Sequence, residues 1–185
     1  MKKFVSLAIT AFIIASCSVN GLTSDYGKLS DEQKVMVVDL ENFSNLDPRK
    51  IYRLSAAELK QDLKNNDKSL VYVFTNGCTS THCKPLIVYE NYANDNGYKL
   101  YLVMNGYGSL DKTLVQPRNA QFFSIDNEVY KSNLRGKYTR LFENELTGKP
   151  ADNKELTGSL LVFINGKFER ALLDIEELNK SVSLK

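Results

Sequence analysis

Five consecutive apolar residues, Leu70-Val71-Tyr72-Val73-Phe74, constrain this chain more than any other feature. A strand with one face in water alternates between apolar and polar side chains. An unbroken apolar run bounded by turn residues therefore reads as a central strand of an α/β sheet. The residues just past the C-terminal end of such a strand lie where open α/β sheets place their chemistry. Here they are Thr75-Asn76-Gly77-Cys78, then Thr79 to His82, then Cys83-Lys84-Pro85, so two thiols stand at the expected functional edge.

The flanking sequence fits the same class. Lys50 to Leu54 alternates like a strand, and Ser55-Ala56-Ala57-Glu58 is a capping box that starts a helix carrying Leu59 and Leu63 on one face. Pro85 to Asn94 reads as a helix stopped by Gly97, and Tyr98 to Met104 as the next strand. A long polar connection, 105 to 157, holds a helix at Tyr138 to Leu146 and a short strand within Gln121 to Tyr130. Leu160 to Ile164, Asn165-Gly166 and Lys167 to Leu173 form a hairpin, because Asn-Gly suits the positive φ angles of a type I′ turn. Ile175 to Val182 closes the chain as a helix.

The N-terminus is an export signal. Met1-Lys2-Lys3 is basic and Phe4 to Ala15 is an apolar stretch, short of the roughly 20 residues that span a bilayer. Ile14-Ala15-Ser16-Cys17 resembles the bacterial lipobox. That resemblance implies that residues 1–16 are removed, that Cys17 is lipidated, and that residues 17–48 tether a domain spanning 49–185. The expected location is the cell envelope, anchored in a membrane and facing the periplasm, since Ser18 to Thr23 carries no acidic sorting residue.

Removing Lys2 and Lys3 lowers the 24 Lys and Arg to 22, equal to the 22 Asp and Glu. The mature chain is then neutral, which gives no reason to expect a nucleic-acid partner. There is no P-loop, no dinucleotide fingerprint, and no histidine suited to a Ser-His-Asp triad, and no cofactor is expected. Lipidation of Cys17 leaves Cys78 and Cys83 as an even pair in an oxidising compartment. A loop this short stabilises a fold little, which favours chemistry over stapling.

The order of elements, the VYVFTNGC run with its later Cys-Lys, the LLVFINGKF hairpin and the terminal helix together resemble the thioredoxin family. The resemblance covers about residues 50 to 182 and implies a central mixed β-sheet flanked by helices. It also implies thiol-disulfide exchange on exported cysteine-containing proteins or with a membrane redox partner, with Cys78 attacking and Cys83 resolving. His82 stands where a histidine stabilises a thiolate in the strongly oxidising members. The family's Cys-x-x-Cys is replaced here by Cys-x4-Cys. In a continuous helix these Cα atoms would lie about 8–9 Å apart, beyond the ~7 Å a disulfide allows, so Thr79 to His82 must loop. Pro85 then places the helix start near Lys84, with both sulfurs gathered at that terminus.

A second departure is at Thr157-Gly158, which occupies the family's substrate-docking cis-proline position without a proline. A non-proline cis bond costs about 2.5–4 kcal/mol, so that loop is expected to differ. Two other readings stay open: a non-catalytic binding module shaped by a permanent disulfide, and a copper-delivery protein of the Sco type, whose Cys-x3-Cys-Pro the segment resembles and to which only His82 could add an imidazole.

Overall fold

The computed structural model describes residues 21–178. Cys17 and the end of the expected terminal helix lie outside them. The apolar run forms β3 (Lys68–Phe74), an interior strand of a seven-stranded sheet. Leu70, Tyr72 and Phe74 enter a core on one face of the sheet, and Val71 and Val73 enter a second core on the other. This explains the absence of alternation: both faces are covered.

The remaining strands are β1 (Val37–Asp39), β2 (Ile51–Leu54), β4 (Lys99–Met104), β5 (Phe122–Ile125), β6 (Leu160–Ile164) and β7 (Lys167–Leu172). They are ordered β1-β2-β5-β4-β3-β6-β7. The first five run parallel, β6 is antiparallel to β3, and β7 is antiparallel to β6. The result is an α/β fold with a mixed central sheet flanked by helices, compatible with a thioredoxin-like arrangement.

The α-helices that lie wholly among the described residues are α1 (Asp31–Met36), α2 (Ala56–Leu63), α3 (Leu86–Asn96), α4 (Leu110–Leu114) and α5 (Arg135–Thr147), and residues 176–178 are helical as well. Leu86, Tyr89 and Ala93 of α3 pack on one face beside Ile175 and Leu178. On the other, Leu59 and Leu63 of α2 meet Tyr138, Phe142 and Leu146 of α5. The Ser55 and Glu58 side chains close the expected capping box on α2. Gly97 ends α3 at φ 68°, and the hairpin turn has Asn165 at φ 50° and Gly166 at φ 71°.

The folded body begins earlier than the expected boundary at residue 49. Ser30 and Gln33 form a capping box on α1, and β1 adds to the edge of β2. Leu29 and Leu40 are buried, and the Ser24 carbonyl accepts the Tyr107 N–H at 2.7 Å. The Val37-Val38 pair supplies the apolar, β-branched character that an added parallel strand needs, so this stretch joins the sheet.

The long connection contributes the expected strand as β5 and the expected helix as α5. It also forms α4, which the sequence pattern did not announce.

Candidate functional site

The segment after β3 is fastened at both ends. Thr75 and the Asn105 side chain hydrogen-bond, and the Asn76 amide donates to the Gly106 carbonyl at 2.8 Å, which ties the start of the loop to the chain leaving β4. The Cys78 N–H donates to Thr75 O and the Cys83 N–H to Ser80 O, making two successive turns. Cys78 and Cys83 form a disulfide with their Cα atoms 6.0 Å apart. Cys78, the cysteine expected to attack, is exposed, and Cys83, expected to resolve, is half-buried.

The helix start differs from the expectation near Lys84. Pro85 combines φ −53° with ψ 142°, so it is the N-cap, and α3 begins at Leu86. The Leu86 N–H donates to Gln116 Oε1 at 3.1 Å. That donor of the α3 terminus is therefore engaged by a side chain, rather than left for a sulfur.

His82 has a partner far away in the sequence. Its Nδ1 lies 3.1 Å from Asp174 Oδ2, just after β7. Burial pushes the Asp174 carboxyl up, but the His82 contact, the Glu176 N–H and the Lys84 charge outweigh it and hold the group below the ordinary carboxylate value. An ionised carboxylate only accepts, which assigns a hydrogen to Nδ1. Lys84 Nζ pairs with Glu176 Oε1 at 2.6 Å, and the Tyr89 hydroxyl donates to the His82 carbonyl at 3.4 Å. The cysteine loop is thus held by carboxylates 92 residues distant in sequence, one through a hydrogen bond to His82 and one through an ion pair with Lys84. Nothing local in the sequence signals such a pairing; the Asp174-x-Glu176 spacing shows its use only once β7 brings it beside the loop.

A cleft of 280 Å³ opens beside the disulfide, lined by Tyr72, Phe74 and Leu86 as well as both cysteines, and by Thr113 and Gln116 from α4 and its end. Thr157 and Gly158 are not part of this lining. They precede β6, on the other side of β3 from β4; Thr157 is exposed, and Gly158 packs against the backbone of Leu172. All peptide bonds of the described residues are trans.

A larger cleft of 660 Å³ lies at the opposite end of the sheet, among Phe43, Tyr98, Tyr101 and Phe123. Its acids are already engaged: both Glu90 oxygens accept the Asn119 N–H, and Asp62 accepts the Tyr101 hydroxyl at 2.5 Å. Among the described residues no three His, Cys, Asp or Glu side chains gather as metal ligands would, and no helix is long and apolar enough to cross a membrane.

In chemical terms, an accessible disulfide stands beside a small cleft, with an imidazole oriented by a carboxylate in the same loop. Compared with protein-family models, with curated proteins and with solved structures, the chain matches none.

Proposed function

We propose that this chain is a lipid-anchored, thioredoxin-like protein of the cell envelope that exchanges disulfides with exported cysteine-containing proteins. The observation that carries the reading is the Cys78–Cys83 disulfide itself, placed after the C-terminal end of an interior parallel strand with Cys78 exposed. A substrate thiolate would attack the Cys78 sulfur, forming a mixed disulfide and releasing Cys83 as a thiolate, which takes up a proton. A second substrate thiolate would then attack the substrate sulfur of that bond and release Cys78. Two substrate thiols become a disulfide, and the protein disulfide becomes two thiols. Reduction of a substrate is the same sequence run backwards. Anchoring rests on the lipobox-like Ile14 to Cys17.

A second reading, a recognition loop held by a permanent disulfide, draws support from the His82–Asp174 hydrogen bond and the Lys84–Glu176 ion pair that fasten the loop. The reduction potential separates the two. Equilibrating residues 18–185 in glutathione buffers and trapping thiols for mass spectrometry gives a value between about −120 and −270 mV for an exchange protein, and below about −300 mV for a structural disulfide.

A further inference from the structure

Thr113 stands out in the disulfide cleft as a buried side chain with an unspent polar group. It is 1% exposed, and its hydroxyl has no hydrogen-bond partner among the described residues, although it lines the cleft that also holds both cysteines. Native folds leave few buried polar atoms unpaired, and each exception asks for a reason. One turn on, Gln116 uses its Oε1 on the Leu86 N–H, while its amide nitrogen donates to no group among the described residues. The two residues thus offer a hydroxyl, able to donate and accept, and an unused N–H donor pair. Tyr72, Phe74 and Leu86 supply the apolar part of the wall, and Thr75 and Lys84 add polar groups to it.

We propose that this cleft binds the peptide backbone beside the reacting cysteine of a substrate, with Thr113 and Gln116 as the hydrogen-bonding residues. Three features of the site identify the occupant. At 280 Å³ the cleft is below the ~300–1,000 Å³ of pockets that enclose drug-sized molecules, so it takes a residue or two of an extended chain rather than a cofactor. A peptide group presents a donor and an acceptor together, which is what a hydroxyl beside a carboxamide N–H matches. A chain joined through the Cys78 sulfur has its neighbouring residues at the mouth of the cleft, since Cys78 forms part of the lining. Docking then uses α4, on β4's side of β3, and not the Thr157-Gly158 segment before β6.

The assignment deepens the exchange reading and rests on it for the identity of the occupant, but binding can be measured apart from exchange. The oxidised protein is mixed with a reduced peptide carrying Cys-x-x-Cys, and the rate of reduction of Cys78–Cys83 is followed over a range of peptide concentrations in single turnover. Thr113→Val removes the hydroxyl at nearly constant shape. The half-saturating concentration is expected to rise about three- to tenfold, the range of one lost hydrogen bond. The limiting rate and the reduction potential stay the same, and the thermal midpoint does not fall, because no bond within the fold is lost. Thr113→Ser restores the wild-type concentration. Gln116→Glu keeps an oxygen for the Leu86 N–H and removes the amide donor, and it is expected to raise the half-saturating concentration in the same way.

In parallel, a Cys-to-Ser version of the peptide is titrated into the oxidised protein and followed by NMR. Wild-type shifts at Thr113 and Gln116 that weaken in Thr113→Val support the site even where no exchange is seen, an outcome that would instead remove the exchange reading. An unchanged half-saturating concentration in the folded Thr113→Val protein, or a titration without shifts at these two residues, overturns the assignment.

Discussion

Gly158 sits against Leu172 so closely that a Cβ on it would collide with the Leu172 carbonyl, and its φ of 105° is one that side-chain-bearing residues rarely adopt. The joint between β6 and β7 therefore requires a glycine here. Gly158→Ala is expected to cost about 2–4 kcal/mol, from backbone strain and overpacking together. Urea unfolding checks this, with the exposed neighbour Thr157→Ala expected within about 0.5 kcal/mol of wild type.

Reduction of Cys78–Cys83 opens a loop of only six residues. Chain entropy makes this worth about 2 kcal/mol, so the reduced protein is expected to stay folded, with its unfolding free energy lowered by that amount. Circular dichroism with and without reductant measures it. A reduced protein that unfolds outright would show that the loop holds far more of the fold than its length implies.

Ser55 caps α2 twice, accepting the Glu58 N–H at 3.3 Å while the Glu58 carboxylate takes the Ser55 N–H at 2.7 Å. Ser55→Ala is expected to destabilise by about 1 kcal/mol, within the ~0.5–2 kcal/mol range of lost N-caps. Denaturant midpoints at constant slope are the readout.

The His82–Asp174 contact gives the cysteine loop an acid-sensitive fastening. The Asp174 carboxyl is lower in the folded protein than its ordinary value of 3.8, so its contribution is complete above that value. It is lost as pH falls through the folded pKa. Lys84, Glu176, Tyr72 and Tyr89 share this environment, and of these only Glu176 is another carboxylate. Loop mobility followed by NMR relaxation at Thr79 to Cys83 is expected to rise below about pH 4, and to be raised already at neutral pH in Asp174→Ala.

The parts legible in the sequence are those decided within a few residues. The apolar run of β3, the Ser55–Glu58 box, the Gly97 stop and the Asn165-Gly166 turn each carry their own physical cause, and each lies where expected. Strand order is set by distant pairing, so nothing in Phe122 to Ile125 announced that β5 would lie between β2 and β4. Helix α4 has five residues, too few to show a period, yet it supplies the Thr113 hydroxyl. Cys78, Cys83 and His82 were visible as chemistry; Asp174, Glu176 and Gln116 became visible only when β7 and α4 brought them to the loop.

The sheet ends in β1, three residues long, and in β7, where Lys167, Glu169 and Arg170 punctuate the strand. An open strand edge is a template on which another chain can polymerise, and brevity or charge blunts it. A protein confined to a surface by its own N-terminus meets its copies far more often than one free in solution. If this chain is anchored as proposed, these two blunted margins are a safeguard against self-templated fibre growth.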